Sequence, residues 1–177
     1  MKILKPSFWE KKNNFISILL LPVSFLLQFL ILIKNKFIFE KSFKIPIICI
    51  GNIYVGGTGK TPLSITIAKE LIKQKKNPAI IKKYYPKHFD EHRLIRHNLK
   101  CLFLDKKRFK AIDSAKVKQH DIIILDDGFQ DCSIKKNINI LCFNSKQLIG
   151  NGMTLPSGPL RESINAIKKT HFVLING

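Results

Sequence analysis

The 177-residue sequence predicts an α/β fold, a mainly parallel sheet with helices on both faces, preceded by an apolar N-terminal helix. Two observations carry this. From Ser42 onward, short runs of Ile, Leu, Val and Phe alternate with longer polar stretches compatible with helix, and a glycine-rich turn ending in Lys-Thr joins the first run to the first stretch. The length suits one ordinary domain with a short appendage, so the chain divides into an N-terminal segment at 1–41 and a domain at 42–177.

Residues 15–33 (FISILLLPVSFLLQFLILI) carry no charge and are long enough to cross a bilayer. Lys11 and Lys12 precede them, and Lys34 and Lys36 follow. A cleaved signal peptide is disfavoured, because no small-x-small site follows and a nucleotide-binding motif comes next. Spanning would carry Lys2, Lys5, Lys11 and Lys12 to the far side, against the positive-inside bias. Pro22 interrupts the run, and Ser17, Ser24 and Gln28 fall on one helical stripe that Glu10, Asn14 and Asn35 extend. The segment is therefore expected to be a membrane-associated helix, with spanning and in-plane placements both open. A helix buried against a soluble domain fits less well, since few such helices are apolar on nearly every face.

Beyond it, 45–50 reads as a buried strand, 62–74 as a helix with Pro62 near its start, and 79–81 as a second strand. Strands follow at 101–104, 122–125, 138–143 and 172–175, with helices around 107–117 and 160–169.

The formal charge of +19 comes from 31 basic and 12 acidic side chains, so the surface attracts anions: phosphate, nucleic acid or anionic lipid. Only Arg93, Arg96, Arg108 and Arg161 are arginines. Base readout relies on the bidentate arginine fork, so a lysine-dominated chain argues against nucleic acid and suits a diffuse anionic surface such as a membrane. Much of the lysine also solvates the exterior. Cys49, Cys101, Cys132 and Cys142 show no C-x-x-C spacing and are expected to be reduced thiols, mostly buried. His88 and His92, at i and i+4, lack a third ligand at a recognisable spacing and are expected to be exposed polar residues.

The strongest chemical signal is Tyr54-Val55-Gly56-Gly57-Thr58-Gly59-Lys60-Thr61, set between a strand and a helix as a phosphate loop (P-loop) requires. Gly56, Gly57, Thr58 and Gly59 would let backbone N–H groups converge on phosphate, with the helix N-terminus adding its dipole. Lys60 would pair the β and γ phosphates and the Thr61 hydroxyl would ligate Mg²⁺. Tyr54 stands where the consensus has glycine. The strand at 122–125 runs into Asp126-Asp127 and delivers carboxylates to the same sheet edge, where either acid can hold the metal directly or through water. The pair of elements in this order predicts binding of ATP with Mg²⁺ in a P-loop NTPase-like fold. Val55 occupies the position of the extra lysine in membrane-cycling partition ATPases, which disfavours that subclass.

Three motifs resemble one family. Gly51 to Pro62 (GNIYVGGTGKTP), Asp126-Asp127-Gly128-Phe129-Gln130 and Gly150 to Glu162 (GNGMTLPSGPLRE), with Pro6, Phe8-Trp9 and Leu21-Pro22-Val23-Ser24 before them, are together similar to tetraacyldisaccharide 4'-kinase, the lipid A kinase. The resemblance implies transfer of the γ-phosphoryl group of ATP to the 4'-hydroxyl of an acylated disaccharide phosphate, at the cytoplasmic face of the inner membrane. It implies that Asp90, in Phe89-Asp90-Glu91, is the catalytic base, in what composition alone would make a solvated loop. It places Arg161 and Glu162 at the nucleotide, with a bidentate contact or a structural pairing open to the arginine. Lys82-Lys83-Tyr84-Tyr85 stands for the family's Arg-Gly-Tyr, and Asp131 for a histidine after Phe-Gln. The resemblance also implies a second domain beyond Gly177, holding a histidine that pairs with the base. The residues alone also admit a membrane-attached ATPase or nucleotide sensor with no lipid acceptor.

Overall fold

The computed structural model describes residues 5–86 and 89–177. Six strands form one parallel sheet: β1 (Ile47–Gly51), β2 (Pro78–Lys83), β3 (Leu102–Asp105), β4 (Ile122–Asp126), β5 (Ile138–Asn144) and β6 (Phe172–Asn176), in the order β3-β2-β4-β1-β5-β6. The helices are α1 (Phe15–Leu19), α2 (Leu21–Lys36), α3 (Lys60–Lys73), α4 (Phe89–Asn98) and α5 (Arg108–Val117). Lys2 and His88 lie outside the described residues.

Alternation along the central strands distributes the core between the two faces. Ala79, Ile81, Ile123 and Leu125 pack with Ala111, Ile112 and Ala115 of α5 on one side. Ile80 and Ile124 pack with Ile65 and Ala68 of α3 and Ile95 of α4 on the other. The expected two-sided α/β architecture is thus present. β6 differs from the inner strands: at the sheet edge, Phe172, Val173, Leu174 and Ile175 all remain exposed.

The apolar N-terminal run breaks where Pro22 lacks the N–H that would continue the first helix. Among the described residues no helix is long and apolar enough to cross a membrane; α2 has 16 residues. The polar stripe has a partner. Asn151 Nδ2 donates to Ser17 Oγ at 3.1 Å, and Gln28 Nε2 to the Arg161 carbonyl at 3.4 Å. Buried between them, the Ser24 hydroxyl lies 2.8 Å from Ser157 Oγ and accepts from Ser157 N at 3.1 Å. Trp9 Nε1 donates to Pro156 O at 3.0 Å. The stripe therefore faces the domain, and Phe15, Leu19, Phe25, Leu26, Phe29 and Leu32 are left exposed.

Two expectations are corrected. Residues 160–169 are not one helix: Leu160 bridges Tyr54 and Arg161 N donates to Ile53 O at 2.6 Å, so the backbone stays extended until Ser163 caps a 3₁₀ helix at Ile164–Lys169. The region of Asp90, expected as a loop, is the first turn of α4, whose buried Ile95 holds it to the sheet.

Ser24→Val leaves the Ser157 N–H and hydroxyl unsatisfied at a dry contact. It should lower stability by about 1–3 kcal/mol in a denaturant titration, with no change in the sheet's far-UV spectrum.

Candidate active site

The parallel pairing of β1 with β4, in the register Ile50↔Asp126, brings the turn after β1 and the acids after β4 to one carboxyl edge. Asn52 shapes the turn from within: its Nδ2 donates to Tyr54 O at 2.6 Å and Gly56 O at 3.2 Å. Tyr54, out of place in the consensus, belongs to neither the curl of the loop nor its floor. It is buried in a backbone bridge to Leu160, and Val55 N donates to Pro159 O at 2.9 Å. The loop proper begins at Gly56, with φ +136°. Gly59 has φ +82° and directly precedes α3, and a Cβ there would stand 2.5 Å from Asn176 Nδ2 at the end of β6.

At the base of the loop, Thr61 Oγ1 donates to Asp126 Oδ2 at 2.9 Å. Asp126 is fully buried, and its Oδ1 has no hydrogen-bond partner among the described residues; neither has Thr58 Oγ1. A buried carboxylate with an open oxygen beside a threonine hydroxyl is an oxygen donor set suited to a hard divalent cation, so the residues fit Mg²⁺. Among the described residues no group of three or more His, Cys, Asp or Glu is gathered.

Asp127 plays a different part. Its backbone is left-handed, at φ +57°, a conformation aspartate tolerates, and this swings the carboxylate into the loop. Lys60 Nζ lies 3.7 Å and Arg161 Nη1 3.4 Å from Asp127 Oδ1. Burial alone would raise this carboxyl, but Lys60, Arg161, Lys82 and Arg108 outweigh it and hold it below the usual carboxylate range. Burial pushes the Glu162 carboxyl up, against Lys169 and a hydrogen bond from Gln130. Glu162 lines a cleft of about 620 Å³ between the polar end of the third motif and Leu27, Ile31 and Leu32 of α2.

The family model for Tetraacyldisaccharide-1-P 4'-kinase matches residues 16–177. The chain belongs to this family. The tetraacyldisaccharide 4'-kinase of Pelagibacter ubique is 48% identical over 178 residues, covering 100% of this chain and 56% of that protein. The Rickettsia bellii tetraacyldisaccharide 4'-kinase is 32% identical, covering 100% of this chain and 60% of its own length. A crystal structure of LpxK from Aquifex aeolicus in complex with ATP matches with a TM-score of 0.77 at 28% identity, over 90% of this chain and 58% of that one. The chain thus spans somewhat over half the length of the tetraacyldisaccharide 4'-kinases it matches.

In this member of the kinase family, the structure brings Lys60, Thr61, Asp126, Asp127 and Arg161 together. Asp90 stands apart from that cluster, exposed on the first turn of α4, lining a second cleft with Tyr84, Arg93, Arg96 and His97. The helix does reach the acid at the end of β4, through its next residue: Glu91 Oε2 lies 2.7 Å from Nζ of Lys82, which also pairs with Asp126. His92, expected to be exposed, is buried and stacked on Tyr84 because it faces the sheet side of α4.

Sequence reasoning missed Lys82 and Arg108. Lys82 is the next-to-last residue of the buried strand β2, and its ammonium pairs with Asp126. Burial would lower its pKa, yet Asp126 and Glu91 raise it and keep it charged. Arg108 Nη2 donates to Asp127 O at 2.6 Å and its Nη1 to Asp131 Oδ2 at 3.0 Å, clamping the turn after β4. The visible signal for Lys82 was a lysine directly following four apolar-compatible strand residues.

Because the Asp127 carboxyl is held low in the fold, its stabilising effect is full above the ordinary value of 3.8 and is lost as pH falls through the lowered one. Wild type should melt above Asp127→Asn at pH 7, and the gap should close as the pH of the melts is lowered towards 3.

Proposed function

We propose that this chain forms the nucleotide-binding and phosphoryl-transfer part of an ATP- and Mg²⁺-dependent kinase acting on the 4'-hydroxyl of a tetraacyldisaccharide 1-phosphate, at the cytoplasmic face of the inner membrane. The observation that carries the reading is the convergence of Lys60, Thr61, Asp126 and Arg161 on one loop mouth, within a chain of the tetraacyldisaccharide-1-P 4'-kinase family.

In this reading the N–H groups of the Gly56–Thr58 curl and the start of α3 receive the phosphates. Lys60 and Arg161, both paired with Asp127 Oδ1, exchange that carboxylate for phosphate oxygens at little cost in reorganisation. Thr61 and Asp126, with Asp127 beside them, are the metal-holding residues, and bound Mg²⁺ would neutralise charge developing on the β and γ phosphates. Asp90 takes the proton of the 4'-hydroxyl as that oxygen attacks the γ phosphorus and the bond to ADP breaks. Arg161 and Glu162 are assigned to the nucleotide side of the same mouth.

The acceptor's acyl chains explain the N-terminal segment. A helix pair that turns its serines to the protein and its phenylalanines and leucines outward suits a monolayer surface in the plane of the membrane. The cleft under α2, walled on one side by Leu27, Ile31 and Leu32, suits an acyl chain of the acceptor. Residues 1–41 then form the membrane-associated segment and 42–177 the kinase domain.

Lys60→Ala should abolish measurable ATP binding in calorimetry and lower the melting temperature at pH 7 by no more than Asp127→Asn does, because Arg161, Lys82 and Arg108 still face that carboxylate. Unaltered affinity would sink the phosphate-loop role. In a transfer assay with ATP and the acylated disaccharide, Asp90→Asn should lower the rate by about 10²–10⁴ without weakening ATP binding; a rate indifferent to it would remove Asp90 as the base.

For the membrane, 1 M salt should not release the protein from vesicles, whereas replacing Phe25, Phe29 and Leu32 together by serine should. Retention of that triple variant after a high-salt wash would show that another surface makes the attachment.

A further inference from the structure

The buried ammonium of Lys82 is not used in the reading above. It projects from the end of β2, which pairs with β4 in the register Lys82↔Asp126, so the two residues are neighbours by construction of the sheet. Lys82 is 4% exposed and Asp126 is fully buried. The ammonium donates to Asp126 Oδ2, lies 3.4 Å from Thr61 Oγ1, and lies 2.7 Å from Glu91 Oε2 on α4. Thr61 and Asp126 are the two side chains that fit the divalent cation. Lys82 already holds a positive charge against both.

Deepening the proposed nucleotide reading, we propose that Lys82 is a built-in counter-ion to Asp126 that competes with a divalent metal for that carboxylate, bound metal leaving the ammonium to its second partner, Glu91. A buried Asp126 with no cation would be strongly disfavoured, and the ammonium meets that need when no metal is present. A divalent ion on the same carboxylate weakens the ammonium's hold there, because like charges in a largely buried site repel. Glu91 supplies the alternative: its carboxylate is within reach and its side chain is 47% exposed, so an ammonium drawn onto it moves towards water. A neutral side chain at this position would not contest the site.

Two consequences follow from linkage. Lys82 weakens divalent-metal affinity, and it lessens the dependence of nucleotide affinity on metal, since part of the charge is present in either state. Arg161 and Lys60 are tied to Asp127 and do not substitute for it.

The test uses the full chain in detergent, with Mn²⁺ as the probe followed by electron paramagnetic resonance, and ADP titrated with and without Mn²⁺. Lys82→Gln keeps an amide donor for Asp126 but removes the charge, whereas Lys82→Arg keeps the charge. Lys82→Gln should bind Mn²⁺ in the presence of ADP about tenfold more tightly than wild type, and its ADP affinity should depend on Mn²⁺ more steeply by the same factor. Lys82→Arg should show neither gain. Unchanged Mn²⁺ affinity in Lys82→Gln, or an equal gain in both variants, overturns the proposal. Should Lys82→Gln fail to fold, wild type labelled with ¹⁵N-lysine decides: a buried ammonium resonance should shift on addition of Mg²⁺ with ADP, and one indifferent to Mg²⁺ overturns the proposal. ADP binding with indifferent metal affinity removes this inference alone; absence of ADP binding by wild type removes the nucleotide reading and this inference with it.

Discussion

A short stretch of paired backbone holds this molecule's parts in register. Residues 53–55 and 159–161 bond through Arg161 N to Ile53 O and Val55 N to Pro159 O, with Tyr54 buried opposite Leu160. One side of this bridge runs directly into the phosphate loop. The other continues into Arg161, whose guanidinium reaches Asp127, and is preceded by Ser157 and Pro156, on which Ser24 and Trp9 dock. The bridge thus ties the loop, an arginine of the site and the apolar N-terminal helices into one unit. A glycine in place of Tyr54 would keep the loop's curl but lose the buried ring that fixes the bridge.

Electrostatics around the loop are more ordered than the net charge of the chain suggests. The acids at the end of β4 and in the turn after it are matched to cations: Asp126 has Lys82, Asp127 has Lys60 and Arg161, and Asp131 has Arg108. The cations that face the open mouth are paired through water-accessible contacts of 3.4–3.7 Å, while the pair beneath is buried. Loosely paired charges can be transferred to a ligand; a buried pair must be exchanged for another cation of comparable charge.

The N-terminal helices invert the usual expectation for an amphipathic segment at a protein surface. Ser17, Ser24 and Gln28 find backbone and side-chain partners in the domain, and the aromatic and aliphatic side chains point away from it. Burying those serines costs little because their hydroxyls are matched, whereas the outward apolar face is left exposed among the described residues. The direction of this face follows from the pairing of Ser24 with Ser157, not from the hydrophobicity of the helix.

The sequence by itself determined the α/β class, the six strands, the phosphate loop with Lys60 and Thr61, the acids after β4 and the family motifs, because each is a local pattern. Strand alternation, a glycine-rich turn before a helix and an apolar run ending in aspartate need only neighbours along the chain. What tertiary structure decided is what depends on residues far apart. Leu160 belongs to a backbone bridge and not a helix because Tyr54, more than a hundred positions earlier, takes its hydrogen-bonding edge. Asp90 lies on a helix because Ile95 is buried on the sheet, in a stretch whose own composition is too polar to announce it. The partner of Asp126 is Lys82 because parallel pairing of β2 with β4 sets them side by side, and strand register is a long-range property that no local pattern encodes.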